Sequence, residues 1–310
     1  MQKPIVKTHD YLQKRRGLIR RNISGWSVML PGIILFAFFV WIPLLSALVM
    51  SFTETIGFEI QGFVWFDNFV EIFNDVDFRK AFQNTFVYLG WSLLIGFIIP
   101  IILGLLLSET IHFKGLFRIG IYMPSAIAGL TIAILFSFLF DPSSTGFLNN
   151  VLKWLGFAPL SWLEDPDLVI PLIVVTMTWR GAGATALIYL SAFQQIKTNY
   201  YEAARIDGAN TWQRIFNITL PSILPSLSVL FVLQVISVMQ VFFEPLVMTN
   251  GGGADRSSLS MLLLAYQYAF QDGRADLSSA TTFVLFLIIL GLSLVYFALV
   301  AALKKRGYKV

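Results

Sequence analysis

The chain has 310 residues, of which 56% are hydrophobic and 13% are charged, and it carries a formal net charge of +4. About a quarter of the residues in a soluble domain are charged, so the composition favours a protein that lies in lipid. The sequence contains no cysteine, which excludes disulfides, cysteine metal sites and a cysteine nucleophile.

Six apolar segments are long enough to cross a membrane as helices, which need about 20 residues for a hydrocarbon core of about 30 Å. The sequence lacks the strands of alternating apolar and polar residues that form a transmembrane β-barrel. The other structure that satisfies all backbone hydrogen bonds in lipid is the helix. The predicted spans cover residues 22–53, 81–108, 119–140, 168–196, 215–243 and 277–303. We therefore predict an all-α polytopic membrane protein with a six-helix domain over residues 24–303, a lead of residues 1–23 and a tail of residues 304–310.

The distribution of lysine and arginine predicts that both termini are cytoplasmic. With the N-terminus inside, 16 of the 22 basic residues lie on the inner side, 5 lie on the outer side, and Arg180 lies within span four. This agrees with the enrichment of Lys and Arg in inner loops. Topology and lipid-headgroup contacts also explain the net charge, which argues against a nucleic-acid partner. The first outer loop, residues 54–80, is expected to form a small cap.

A polar stretch, residues 197–221, joins spans four and five on the inner side. Asn199 and Glu202 have the spacing of a capping box, and Asn210 and Gln213 offer a second one. Gly208 lies between the two boxes and can adopt the left-handed conformation that ends a helix. These signals predict a helix–turn–helix that leads directly into span five.

The same stretch carries a dense motif at fixed spacing. Its positions are Glu202, Ala203, Ala204, Asp207, Gly208 and Ala209, followed by Phe216, Ile218, Leu220 and Pro221. In residue types, spacing and place between spans four and five, it resembles the cytoplasmic EAA loop of binding-protein-dependent ABC importer permeases. Residues 197–221 are called the EAA loop below.

Three further stretches are similar to the sugar-importing, maltose-permease-like branch of that family. They are Thr178-Trp179-Arg180 in span four, Met123-Pro124 in span three and Thr249-Asn250-Gly251-Gly252-Gly253 after span five. In the last of these the branch often has Thr-x-Gly-Gly-Pro, whereas Ala254 follows three glycines here. The resemblance extends from about residue 24 to residue 302.

The resemblance implies a type I importer permease fold and a transport function, with no catalytic residue and no metal ligand in this chain. It implies import of a sugar or oligosaccharide across a bacterial or archaeal cytoplasmic membrane. The expected partners are a second permease subunit of different sequence, two ATPase subunits that each receive one EAA loop, and an extracytoplasmic solute-binding protein. The chain lacks a Gly-x-x-x-x-Gly-Lys-[Ser/Thr] loop, so ATP and magnesium are expected only at the ATPase subunits.

Polar side chains within spans four and five are candidates for contacts with the solute. The candidates are Trp179, Arg180, Gln234, Ser237, Gln240 and Glu244. A charge in mid-span is costly and faces protein or water, so Arg180 either forms interhelical contacts or lines the pathway. Steps of three and four residues place the span-five candidates along one stripe, with Gln240 at its edge. They either bond neighbouring helices or bind sugar hydroxyl groups.

Gly251, Gly252 and Gly253 are predicted to form a loop that projects from the outer face and contacts the binding protein or the delivered solute. Glycine permits backbone shapes and close approaches that other residues resist. A plain hairpin between two helices explains the same residues nearly as well.

Other classes of function fit the sequence less well. His9 and His112 are the only histidines and both lie on the inner side, so an intramembrane Ser–His dyad or His-based metal site is excluded. Ion-coupled transport needs buried charges in several spans, whereas only Arg180 and Glu244 are available. The same permease architecture with a polyol, an amino acid or a phosphate ester as the solute stays open.

The predicted topology can be tested directly, because the chain has no cysteine of its own. Single cysteines at Asn150 and Lys309 should react with an impermeant maleimide from opposite sides of the membrane, Asn150 from outside and Lys309 from inside. Labelling of both residues from outside would contradict the topology.

Overall fold

The computed structural model describes residues 25–109 and 113–305, which are mainly helical. Five of its helices are long and apolar enough to span a membrane: Gly25–Met50, Val76–Glu109, Val169–Phe193, Leu224–Met248 and Ala275–Ala302. A bent pair, Lys114–Ala126 and Gly129–Leu139, supplies the sixth span when it is counted as one. The predicted multi-span helical membrane fold is confirmed, with one β-hairpin added outside the spans. The lead up to residue 24 and the tail from residue 306 lie outside the described residues.

Span three differs from the single helix that was predicted over residues 119–140. Its two parts meet at 93°, because Ile127 and Ala128 are extended, with ψ angles of 139° and 136°. Pro124 lies in the 3-10 turn Met123–Ala126 that precedes this break, and proline has no N–H to continue a helix. The break therefore interrupts the span in its interior.

Span four forms the centre of the bundle. In its apolar 18-residue stretch, half of the residues are buried by the rest of the chain, whereas none of the residues in the corresponding stretch of span one are buried. Lipid provides no hydrophobic force between helices, so close packing at small residues holds them together. Gly183 shows such packing, because a Cβ atom at this position would lie 1.8 Å from the carbonyl oxygen of Ile121.

The segment between spans one and two forms the expected cap. It begins with an antiparallel hairpin of β1 (Thr53–Ile56) and β2 (Glu59–Phe63), followed by the helix Asp67–Asn74. The buried amide of Asn68 donates to the carbonyls of Ser51 (3.1 Å) and Thr53 (2.9 Å). Because three spans separate this cap from the EAA loop, the two lie at opposite ends of the bundle, called the hairpin end and the EAA end below.

Arg274 and Asp276 fasten the cap to the start of span six. Arg274 donates two hydrogen bonds of 3.0 Å to the Glu71 carboxylate and another of 3.0 Å to Asp276. Asp276 is fully buried, and its backbone N–H donates to the hydroxyl of Thr55 (3.0 Å). The bonds to Glu71 and Asp276 raise the pKa of Arg274 above its usual value. Charge-assisted hydrogen bonds therefore join span six to the cap.

The segment between spans three and four is organised around one side chain. Asn149, in the helix Phe147–Trp154, is fully buried. Its amide donates to the carbonyls of Pro142 (3.1 Å) and Leu160 (3.0 Å). Its own carbonyl accepts from the N–H of Leu160 (3.0 Å) and the indole of Trp162 (2.8 Å). One amide thus holds together both ends of the segment.

Replacing Asn149 with Ala should destabilise the protein, because several buried backbone groups and the Trp162 indole lose their partner. We expect a loss of about 2 kcal/mol, or roughly 4 °C in the melting temperature of the detergent-purified protein. Asn150→Ala is the matched control, since Asn150 is exposed and donates only to the Thr145 carbonyl. Equal melting temperatures for the two variants would contradict this role of Asn149.

Candidate functional site

The first helix of the EAA loop runs from Thr198 to Ile206. Its N-cap is Lys197, which makes no side-chain capping hydrogen bond. The predicted capping box of Asn199 and Glu202 is therefore wrong. The helix begins one residue before Asn199, which places the Asn199 side chain inside the first turn, where it cannot cap.

The second predicted capping box is confirmed. The side chain of Asn210 accepts from the N–H of Gln213 (2.9 Å), and the side chain of Gln213 accepts from the N–H of Asn210 (2.8 Å). Gly208 has a φ of +77°, and the N–H of Ala209 donates to the carbonyl of Ala204 (2.8 Å), as is typical of a helix that ends at a left-handed residue. The predicted helix–turn–helix is thus present, with its cap on the second helix.

The EAA loop presents large apolar side chains that the described part of this chain leaves uncovered. Ile206 is 87% exposed, and the rings of Trp212 (69%) and Phe216 (60%) stack at 6.2 Å. Glu202 and Ala203 of the motif are also exposed. The stacked rings of Trp212 and Phe216 form an exposed apolar surface, which is typical of a protein contact. Ile206 and Trp212 were missed from the sequence because they lie between the motif positions.

The EAA loop passes into span five through helical segments. The helix Thr211–Arg214 is followed directly by the π-helical segment Ile215–Thr219, and span five begins at Leu224. The hydroxyl groups of Tyr201 and Thr219 lie 2.9 Å apart, and Thr219 is buried. This hydrogen bond joins the first helix of the loop to the base of span five. It could not be predicted from the sequence, because a π-helical turn changes which residues share a face.

Polar side chains of spans two, four and five meet in a cavity of about 160 Å³. The polar residues that line this cavity, called the polar cavity below, are Ser92, Thr178, Arg180, Thr185, Gln234 and Ser237. The amide of Gln234 donates to the hydroxyl of Ser92 (2.6 Å). The structure thus brings three of the predicted pathway residues together and adds three hydroxyl residues that sequence reasoning missed, because single hydroxyl groups are common in apolar helices.

Gly96 leaves room for the side chains of the polar cavity. A Cβ atom at this position would lie 2.8 Å from the amide nitrogen of Gln234 and 3.3 Å from the hydroxyl oxygen of Thr178. Gly96 belongs to the π-helical segment Ser92–Gly96 of span two. Such segments occur frequently at functional sites, and this one faces the cavity.

Arg180 and Glu244 are the only charged residues of spans four and five. The Arg180 guanidinium packs against Gly129, beside the break in span three, where a Cβ atom would lie 2.8 Å from Nη1. Its buried Nε has no hydrogen-bond partner among the described residues. Glu244 is buried, and no ion pair within 4 Å joins it to Arg180 in the described chain. Residues 25–109 and 113–305 contain no cluster of His, Asp and Glu that could hold a metal ion.

Three of the predicted pathway residues, Trp179, Gln240 and Glu244, lie outside the polar cavity. Trp179 is 45% exposed, lines an adjacent apolar groove and contacts the ring of Phe136 at 5.3 Å. The regular helix of span five ends at Met239, Gln240 is exposed after it, and the helix resumes at Phe243. The continuous polar stripe predicted for span five is therefore interrupted before Glu244.

The loop of residues 249–260, called the triglycine loop below, folds back onto the bundle. Gly251, Gly252 and Gly253 have φ angles of +93°, +123° and +75°, which favour glycine. Gly252 is buried, and Gln267 donates to the carbonyl of Gly251 (2.8 Å). The glycines are thus part of a folded turn.

Span two holds the triglycine loop in this position. Asn84 donates to the carbonyls of Arg256 (2.7 Å) and Leu259 (3.0 Å), and the hydroxyl of Tyr88 donates to the carbonyl of Ser258 (2.9 Å). The three glycines therefore lie in a folded loop that span two holds, instead of extending freely from the surface. Its contact with a binding protein or with the solute stays a prediction.

Residues 96–307 match the family of binding-protein-dependent transport system inner membrane components. The match covers the EAA loop, the triglycine loop and all of the polar cavity except Ser92. The chain belongs to this family. It is a membrane-spanning permease subunit of an ABC importer, and its role is transport rather than catalysis.

Relatives agree with this assignment over most of their length. The chain is 32% identical to the lactose transport system permease protein LacF of Rhizobium radiobacter, over 89% of this chain and 93% of LacF. It is also 32% identical to the arabinooligosaccharides transport system permease protein AraP of Halalkalibacterium halodurans, over 92% and 90% of the two chains. Its fold matches a chain in the crystal structure of a bacterial ABC transporter involved in the import of the acidic polysaccharide alginate. The TM-score is 0.82 at 29% identity, over 92% of this chain and 98% of that one. The predicted type I importer permease fold is confirmed.

Gln234→Leu should reduce uptake of the solute, because it removes the amide that meets Ser92 in the polar cavity. A neutral hydrogen bond contributes about 1 kcal/mol, so we expect roughly fivefold slower uptake at low solute concentration, with normal assembly. Gln240→Leu, the same change outside the cavity, should have a smaller effect. The opposite ranking would place the solute contacts at the exposed surface around Gln240.

Proposed function

We propose that this chain is one of two permease subunits of an importer for a sugar or oligosaccharide. Relatives named for lactose and arabinooligosaccharide transport, and a solved neighbour named for alginate import, support this substrate class. The polar cavity supports it as well, because hydroxyl and amide groups can donate hydrogen bonds to sugar hydroxyl groups and accept hydrogen bonds from them.

The observation that carries the proposal is the structural connection between the EAA loop and the polar cavity. The loop is joined to the base of span five by the Tyr201–Thr219 hydrogen bond, and span five supplies Gln234 and Ser237 to the cavity. In our proposal an ATPase subunit binds the exposed loop, including Glu202 and Ala203, and its movement tilts span five. ATP and magnesium bind to the two ATPase subunits, and this chain binds no cofactor.

Two further partners complete the proposed importer. No residue in the apolar 18-residue stretch of span one is buried by the rest of the chain, and Trp179 lines an open apolar groove. Both surfaces are therefore available to lipid and to a second permease subunit of different sequence. A solved alginate transporter is described in complex with an alginate pentasaccharide-bound periplasmic protein, which supports a solute-binding protein at the hairpin end. The proposed location is a bacterial or archaeal cytoplasmic membrane, with both termini inside.

Import of a non-sugar solute is the weaker alternative. Arg180 is the one charged side chain among the described residues that line the polar cavity. The cavity side chains are otherwise neutral, which suits a solute with many hydroxyl groups. A polyol shares this chemistry and is distinguished from a sugar only by direct measurement.

ATP-driven uptake into vesicles that contain the assembled importer tests the substrate class. The vesicles should take up at least one neutral saccharide from a radiolabelled panel. The panel contains disaccharides, short oligosaccharides, polyols, amino acids and sugar phosphates. Uptake of an amino acid or a sugar phosphate alone would overturn the sugar assignment.

Gly208→Asp should abolish coupling to the ATPase. It introduces a charge and left-handed strain at the turn of the exposed EAA loop, so we expect uptake to fall by more than about tenfold and copurification of the ATPase to weaken. Gly156→Asp is the matched control, because Gly156 also has a positive φ (+84°) and open space around it but lies in the segment between spans three and four. Normal uptake and normal copurification in Gly208→Asp would overturn the coupling role.

A further inference from the structure

The hairpin of β1 and β2 exposes an unusual number of large apolar side chains. Over residues 56–66 these side chains, with their exposed fractions, are Ile56 (71%), Phe58 (59%), Ile60 (49%), Phe63 (65%), Trp65 (69%) and Phe66 (64%). Residues 53–66 contain two glutamates and no lysine, arginine or histidine. An apolar patch of this kind is unfavourable in water and marks a contact surface.

The hairpin has a fixed position relative to the spans. The N–H of Gly57 donates to the carbonyl of Gly273 (3.0 Å), and Thr55 is bonded to the buried Asp276. The hairpin starts at Thr53, three residues after Met50 ends span one, and Asp276 lies in the first turn of span six. Its apolar side chains are therefore held at the level where two spans leave the hydrocarbon.

The aromatic surface of the hairpin end is continuous with the lipid-facing surface of span six. The ring of Phe66 contacts Phe52 at 5.7 Å, Phe52 contacts Phe283 at 6.2 Å, and Phe283 contacts Phe286 at 6.4 Å. Phe286 is 54% exposed in the interior of span six, where the surrounding solvent is lipid. No charged residue interrupts this row of rings.

We propose that the hairpin binds the lipid surface by inserting Phe63, Trp65 and their apolar neighbours into the interfacial layer of the membrane. Tryptophan is enriched at this depth because its ring system is apolar while its indole N–H tolerates water, and the phenyl rings beside Trp65 add apolar surface to the same contact. The absence of basic residues in the hairpin means that apolar insertion, rather than attraction to anionic headgroups, stabilises the contact. The hairpin thus anchors the cap to the bilayer while the pathway opens and closes.

A probe on a single cysteine tests the proposal in the otherwise cysteine-free chain. In the Phe63→Cys variant, an environment-sensitive fluorophore is attached to the new cysteine. The assembled importer is then reconstituted into nanodiscs of zwitterionic phospholipid. Glu54→Cys is the matched control, because Glu54 is an exposed, charged residue of the same hairpin and its cross-strand partner, Gly62, has no side chain. The fluorescence emission of the label at residue 63 should be blue-shifted relative to that of the label at residue 54. Spin-labelled lipids should quench the label at residue 63 several-fold more than the label at residue 54, and aqueous iodide should quench the label at residue 54 more.

Salt provides a second measurement, because apolar insertion is insensitive to it. Lipid quenching at residue 63 should be the same in 0.1 M and 1 M sodium chloride and in discs with or without anionic lipid. Equal iodide quenching at residues 63 and 54 would overturn the proposal by placing the hairpin in water. Protection of residue 63 only after the solute-binding protein is added would also overturn it, and would identify a protein-docking surface. Neither result depends on which solute the importer carries.

Discussion

Lipid offers an exposed backbone no hydrogen-bond partner, and this constraint determines where the chain can leave the regular helix. Departures from the regular helix in spans two and three lie beside the polar cavity. Span two has the π-helical segment Ser92–Gly96, and span three bends beside Arg180. Irregular backbone at membrane depth is tolerated only where protein or a cavity surrounds it. The breaks and the polar side chains therefore indicate the same region independently, which is why a pathway through this part of the bundle is favoured over isolated interhelical bonds.

The two ends of the functional region are stiff for different reasons. At the EAA end, the capping box of Asn210 and Gln213 and the hydrogen bond from Tyr201 to Thr219 leave little freedom between the docking surface and span five. At the hairpin end, charge-assisted hydrogen bonds of Arg274 fasten the cap to span six. A movement imposed on the EAA loop is thus transmitted to span five, while spans one and six share a fixed cap. Rigid elements that pivot against each other are a common basis of transport and switching transitions.

The sequence predicted the spans, the motif loop and part of the polar cavity, and the errors have identifiable causes. Hydropathy reports whether a segment is apolar, but it does not report the two extended residues that bend span three. Asn199 and Asn210 both have capping-box spacing, and only Asn210 precedes the first turn of its helix, which depends on where the preceding turn ends. Arg180 and Gln234 were found because polar groups are conspicuous in lipid. Ser92, the hydrogen-bond partner of Gln234, was hidden, because a serine hydroxyl can bond its own helix and gives no signal of a neighbour on another span.

The attachment of the triglycine loop to span two has a consequence for the polar cavity. Asn84 and Tyr88 bind the loop, and Ser92 follows Tyr88 by one helical turn on the same face. From Asn84 to Gly96 the helix axis advances only about 18 Å. Any displacement of the triglycine loop pulls on the helix that forms one wall of the cavity. Span two can therefore act as a tether that links the hairpin end to the Ser92–Gln234 contact, a route separate from the proposed one that leads from the EAA loop through span five.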